Sequence, residues 1–322
     1  MRVKGLEIIM ALLLGILIPA LLIAILQDRI VVTQDAAGQT ETTILGINRS
    51  QEIEVLQKDG TVATIPVEEY VLSVVLSEMP ANFELEALKA QAVVARTYAL
   101  RRTNRNAKHG EASVCVKASC CQGYCSTEDY LSGGGTRESV EKIQAAVDAT
   151  EGLVLVYENE LIDATYFACS GGVTEDAQAV WGAEIPYLKS VESPGEEGAA
   201  HYVDTVRFTL TEFADRLGID VLDETGIMVG KIESTNGNGV ASIEICGKIF
   251  SGTQIRKLLK LRSTAFLISV VGETVTVTTK GFGHRVGMSQ YGADAMAVNG
   301  ATFQEILSHY YLGTQLIPFN FD

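Results

Sequence analysis

The residue best placed for proton transfer is Glu78, in the stretch PVEEYVLSVVLSEMPANFELEALKAQAVVARTYALRR from Pro66 to Arg102. It closes an apolar run and stands directly before Met79-Pro80, so it falls where one helix must stop. Partial burial and the negative end of that helix both disfavour the charged carboxyl. A carboxyl held protonated near neutral pH serves as a general acid. The plainer reading of the same position is a solvated carboxylate at a helix end. A second group lies in NRNAKHGEASVCVKASCCQGYCS, where Cys115, Cys120, Cys121 and Cys125 are four of the six cysteines and His109 is one of four histidines. Tetrahedral zinc takes thiolate and imidazole donors, and His109, Cys115 and Cys121 are evenly spaced for it. The same cysteines suit disulfides outside the cytoplasm, although a vicinal Cys120-Cys121 bridge would be strained. Free thiols are the third reading.

Two glycine-rich stretches offer backbone to a ligand. In ACSGGVT, Ser170-Gly171-Gly172 lets amides approach closely. A nucleophilic serine fits worse because the G-x-S-x-G elbow is absent, and a plain turn is the bland alternative. In Gly281-Phe282-Gly283-His284-Arg285-Val286-Gly287 the glycines keep the chain close to whatever His284 and Gln290 face. His284 reads equally as a hydrogen-bonded core histidine. The phosphate-loop pattern is missing there. Trp181 is the only tryptophan; sugar rings stack on such faces, but a lone tryptophan is more often core.

Elements must hold these groups. Ile53, Val55 and Leu56, then Val62 and Ile65, read as a hairpin turning at Asp59-Gly60. Pro66 opens a helix with Glu68 and Glu69 in its first turn and Val67, Tyr70, Val71, Val74 and Val75 at helical spacing. Asn82 is expected to cap a second helix whose Leu88, Ala92, Ala95 and Ala99 form a small-residue face. A helix over 137–150, a strand over 153–157 and a second strand through Ile162 and Tyr166 follow. Residues 205–263 differ in texture: helices near 211–217 and 252–261, and strands near 230–233 and 241–249. A last strand through Val275 and Val277 leads to the second glycine stretch, and a helix runs on from Met288.

The 322-residue chain is 47% hydrophobic, long enough for substantial cores. Its net charge of −15 speaks against nucleic acid as a partner. From Ile8 to Leu26 there is no charge, the length of a bilayer-crossing helix, with Arg2 and Lys4 on the side expected to stay in the cytoplasm. The expected organisation is a tail at 1–7, a transmembrane anchor at 8–26 and a polar tether at 27–50. A core in two parts follows, 51–204 and 264–322, with a cysteine loop at 103–130 and a small α+β lobe inserted at 205–263. The fold class is mixed α+β, an α/β core with that lobe, preceded by the single membrane helix.

The run SEMPANFELEALKAQAVVARTYALR, the later GFGHRVGMSQYGADAMA at 281–297 and, more weakly, SGGVTEDA with Trp181 and PYLKSV behind it resemble the stage II sporulation protein D family. These are membrane-anchored lytic transglycosylases of spore-forming bacteria that cut peptidoglycan glycan strands. The resemblance implies that Glu78 occupies the catalytic glutamate's place. It implies substrate contacts from Gln91, Arg96, Tyr98, Ser170, Gly171, Gly172, His284, Gln290 and Tyr291. Some members hold zinc in the cysteine loop, and His109, Cys115 and Cys121 match their ligands. The family's usual histidine before the last cysteine is Cys120 here, a departure that leaves the fourth ligand open, with Cys120 as a candidate. Peptidoglycan glycan strands without stem peptides become the expected substrate, and the amidase stage II sporulation protein P the expected partner. The expected site of action is the sporulation septum, with the domain outside the membrane. A transglycosylase needs one carboxyl, whereas a hydrolytic muramidase needs a second, for which Glu69, Glu84, Glu86 or Asp294 are candidates. A non-catalytic glycan-binding scaffold that activates an amidase is the reading from another class.

Overall fold

The computed structural model describes residues 30–34, 40–44, 51–103, 109–200, 202–220 and 227–319. The chain falls into two units, Met1–Arg49 and Ser50–Asp322. In the first, Ile30–Gln34 and Thr40–Ile44 pair antiparallel within the stretch expected to be a tether. The expected membrane helix at 8–26 lies outside the described residues. Among the described residues no helix is long and apolar enough to cross a membrane. The expected fold class is corrected accordingly: the described residues form a mixed α+β fold, with no membrane-spanning helix among them. One helix, Leu85–Thr103, has the length, but it carries Glu86, Lys89, Arg96, Arg101 and Arg102, which suit a protein core and its surface rather than lipid.

In the second unit, the hairpin Glu52–Leu56 and Val62–Pro66 forms as its turn chemistry requires. Asp59 accepts the Thr61 N–H at 2.9 Å, and Gly60 takes φ +89°. Helix α1, Val67–Glu78, follows without a break, with Pro66 as its cap residue. It ends because Met79 is extended, φ −117° and ψ 134°, as the residue before a proline must be. Helix α2, Leu85–Thr103, is not capped by Asn82 as expected. The Glu84 amide at its start donates instead to the Asp294 carboxylate at 2.7 Å, 210 residues away. Nor does α2 present a single face: every residue from Ala90 to Leu100 is buried. It is the central rod, packed on α1, on α3 (Arg137–Asp148), on α4 (Gln290–Val298), on α5 (Phe303–Tyr310) and on the strand Leu153–Tyr157.

That strand lies between Gln315–Pro318 and Glu160–Leu161, the latter reached through a turn with positive φ at Glu158 and Asn159. Two short pairings then gather distant chain. Val114–Cys115 joins the first hairpin in parallel and draws the cysteine loop onto the core. Tyr166–Phe167 pairs in parallel with Met288–Ser289, bringing the two glycine-rich stretches together.

A second apolar core, built on Phe208, Phe213, Ile243, Phe250, Ile255, Val275 and Val277, forms a lobe of its own. The expected strand over 241–249 is two strands, Val240–Ile245 and Lys248–Ser251, because Cys246 and Gly247 turn at φ 49° and 77°. Helices Leu210–Leu217 and Gly252–Leu259 each start with a reciprocal capping box. Arg285, 1% exposed, ties lobe to core: it bonds the carbonyls of Ser170, Val173 and Gly237 and pairs with Glu175 at 3.3 Å.

Candidate active site

Glu78 comes off the last turn of α1 into a cleft of about 530 Å³. The Gly123 N–H donates to its Oε1 at 2.5 Å. A Cβ on Gly123 would stand 2.6 Å from Ser77 Oγ and 2.8 Å from Glu78 Oε1, so only glycine lets the loop come this close. Tyr70 donates to Gln122 Oε1 at 3.2 Å, and Gln122 Nε2 donates to the Tyr166 oxygen at 3.3 Å. The Tyr166 phenol also interacts with the Glu78 carboxyl, and with its oxygen accepting from Gln122 its own proton is available to that carboxyl. Burial first, and the charge of Glu78 second, push the Tyr166 phenol well above its ordinary range, so it remains a donor. Gly123, Gln122 and Tyr166 were not singled out in the sequence. The one signal for the first two was their place directly after Cys121.

The cleft also takes in Tyr98, Arg102, Cys120, Cys121, Phe282, His284 and Gln290. Glu78 is the only carboxylate lining it among the described residues. The other acids considered are engaged elsewhere: Glu86 holds Lys89 at 2.6 Å and the Phe303 amide at 2.9 Å, and Asp294 caps α2. Glu69 and Glu84 are not among the lining residues. His284 accepts from the Val286 amide at 3.1 Å through Nδ1. Burial, helped by Arg256, lowers its pKa to about 4, so the imidazole facing the cleft is neutral. Trp181 corrects the expectation of a core residue: it is 45% exposed, with its ring 5.4 Å from that of His284. Gln290 is buried and its Nε2 has no partner among the described residues. A buried amide without a partner is costly unless something else supplies the acceptor. Tyr98, pushed up to about 12 by burial, lies under the Arg102 guanidinium at 4.1 Å.

The remaining expected contacts lie outside the cleft lining. Arg96 is 1% exposed and forks onto Glu68 at 2.8 and 2.5 Å. Gln91 is wholly buried, its amide atoms unpartnered among the described residues. Tyr291 packs edge-on against Phe83 at 5.0 Å. Ser170, Gly171 and Gly172 do form an anion nest, but an internal anion fills it. Glu196, 1% exposed, accepts from Ser170 N at 2.7 Å, Ser170 Oγ at 2.9 Å and Gly171 N at 3.0 Å.

Beside the cleft, His109, Cys115, Cys120 and Cys121 converge, their donor atoms all within 4.8 Å of one another. His109 Nε2 lies 3.3 Å from Cys121 Sγ and 3.6 Å from Cys120 Sγ. None of the six cysteines is in a disulfide. Three thiols and one imidazole in this space are four donors of the types zinc takes. Cys125 stands apart, bonded to the Ser126 carbonyl.

The family model described as Stage II sporulation protein matches residues 57–157, which include Glu78 and the whole cysteine loop. The chain is similar to Stage II sporulation protein D of Bacillus subtilis (strain 168), 44% identical over 261 residues that make up 80% of this chain and 76% of that one. The protein of the same name from Bacillus amyloliquefaciens is 42% identical over 80% of this chain and 75% of its own. The Amidase enhancer of Bacillus subtilis (strain 168) is 30% identical over 76% of this chain and 40% of its own.

Proposed function

The chain belongs to the stage II sporulation protein D family, and from that premise we propose that it is a lytic transglycosylase cutting the glycan strands of peptidoglycan during sporulation. The observation that carries this reading is a sugar-sized cleft with Glu78 as its single carboxylate among the described residues. A two-carboxylate hydrolase needs a second acid roughly 5–9.5 Å from the first. One residue suffices when it acts twice.

In the first step protonated Glu78 gives its proton to the glycosidic oxygen as the bond from the muramic acid C1 breaks. The resulting carboxylate is held by the Gly123 N–H and the Tyr166 O–H. In the second step it takes the proton from the same sugar's 6-hydroxyl as O6 bonds to C1. The product is a 1,6-anhydro end, and Glu78 is protonated again without water entering. Neutral His284 and the Gln290 amide face sugar hydroxyls and acetamides as hydrogen-bonding groups, and exposed Trp181 and Phe282 offer stacking faces. His109, Cys115, Cys120 and Cys121 would hold a structural zinc, which supplies folding energy rather than an open coordination position. Its task is to fix the loop that carries Gln122 and Gly123 to Glu78.

The family points to the sporulation septum as the site of action. The amidase stage II sporulation protein P is the proposed partner, removing stem peptides before the glycan is cut. The likeness to a protein named Amidase enhancer supports a link to amidases. The test is mass spectrometry of products from peptide-free glycan strands. Anhydro ends, about 18 mass units below the hydrolytic product, are expected from the wild type. Glu78→Gln should keep the fold and lose on the order of 10²–10⁴-fold in rate. Ends carrying added water would make the protein a hydrolytic muramidase. No turnover at all would leave the glycan-binding scaffold.

A further inference from the structure

The cleft holds one permanent cation among the described residues, Arg102. Its setting is that of a binding group rather than of a structural ion pair. Asp163, the nearby carboxylate, is already gripped by Arg101 through two bonds, at 2.8 and 3.0 Å. Arg102 reaches the same acid only by a single 3.5 Å contact from Nη1. Its guanidinium lies over the ring of Tyr98 at 4.1 Å, a placement that fixes the plane of the group and leaves its edge for in-plane hydrogen bonds. The side chain is 27% exposed. In a chain of net charge −15, the one guanidinium that lines the cleft makes a local positive spot where an anion would otherwise be repelled. The negative end of α2 further favours a cation there.

We propose that Arg102 binds the free lactyl carboxylate of an N-acetylmuramic acid residue, and so makes the cleft selective for glycan from which the stem peptide has been removed. This rests on the glycan-cleaving reading and deepens it. In intact peptidoglycan the lactyl carboxyl is an amide, uncharged and followed by a peptide. After amidase action it is a carboxylate, the planar anion that a guanidinium edge recognises with two parallel hydrogen bonds. The remaining described groups in the cleft offer no second cation: Arg102 is the only lysine or arginine lining it, and His284 is neutral.

The experiment compares three substrates: strands with free lactyl carboxylates, the same strands after coupling each carboxyl to methylamine, and strands still carrying stem peptides. For the full wild-type chain, kcat/KM on free-acid strands should exceed that on methylamide strands by on the order of tenfold to a hundredfold, the range of a hydrogen bond to a charged group. Arg102→Gln should bring the free-acid strands down toward the methylamide level, mainly through KM, so that the ratio of the two rates falls toward one. Arg102→Lys should recover part of the selectivity. Equal wild-type rates on free-acid and methylamide strands would overturn the proposal. So would an Arg102→Gln variant that slows both equally, since that is the mark of a purely structural support for Tyr98. Should Arg102→Gln fail to fold, the wild-type comparison and its decline with added salt decide. A wild type that cuts none of the strands overturns the glycan-cleaving reading itself, an outcome distinct from cutting all alike.

Discussion

Replacing Gly123 by alanine tests the geometry around the acid without touching the acid. The backbone of Gly123 does not have a positive φ, so alanine meets no conformational penalty there, and the whole effect comes from the added methyl. That methyl would stand 2.6 Å from Ser77 Oγ and 2.8 Å from Glu78 Oε1. Both atoms end rotatable side chains, so the protein yields there rather than in the backbone. The stability cost should therefore sit at the low end of overpacking, about 1 kcal/mol, or a fall of about 2–4 °C in Tm. What yields is the carboxyl whose place matters. Losing the hydrogen bond from the Gly123 N–H to a charged group removes about 1.5–3 kcal/mol from the carboxylate. Displacing a catalytic group by about 1 Å costs about 10²-fold. The expected outcome is a loss of about 10²-fold in kcat/KM on peptide-free glycan strands, with Tm nearly kept. Cleavage within twofold of the wild type would refute the reasoning, and so would activity that falls only in step with the folded fraction. Ser77→Ala, which removes a clash partner but no proton-transfer group, should be close to neutral.

Metal analysis of protein purified without chelator should find about one zinc per chain, lost in Cys115→Ser or Cys121→Ser, with a lower Tm in both variants. Stability should fall as pH drops through the window from 6.5 to about 4, because the unfolded chain protonates His284 before the folded one does. The loss is at most about 3 kcal/mol; urea unfolding at pH 7 and pH 4.5 should show a shallower dependence in His284→Gln. Arg285→Met leaves Glu175 charged and buried without its partner, and should destabilise the chain by about 3–5 kcal/mol in denaturant unfolding, well beyond a surface substitution.

Much of the fold is written in local chain chemistry. Pro80 ends α1 at Glu78 because the constraint acts on the next residue back, and Asp59-Gly60 turns its hairpin within four residues. The two stretches that carry the family resemblance are long enough to be read without a structure, and the first of them contains Glu78. His109, Cys115 and Cys121 could be paired from spacing and resemblance, with Cys120 completing the set.

Where groups meet across the chain, local chemistry is silent. The start of α2 takes its acceptor from Asp294 rather than from neighbouring Asn82. Ser170-Gly171-Gly172 has the makings of an anion site, but only packing reveals that Glu196 already fills it. Arg96 and Tyr98 stand two residues apart on one helix, yet Arg96 turns to Glu68 and Tyr98 to the cleft. Trp181 reads as core from composition and lies on the surface, because burial depends on which element covers a side chain. The sequence by itself pointed to Glu78 as the candidate acid and to His109, Cys115 and Cys121 as candidate metal donors, and the packing of the loop set Cys120 beside them. Only the tertiary structure decided what holds that acid, since Gly123 and Tyr166 reach Glu78 from 45 and 88 residues away. Side-chain patterns record what a residue needs, burial or a cap or a turn; the partner that meets the need is chosen by the packing of the whole chain.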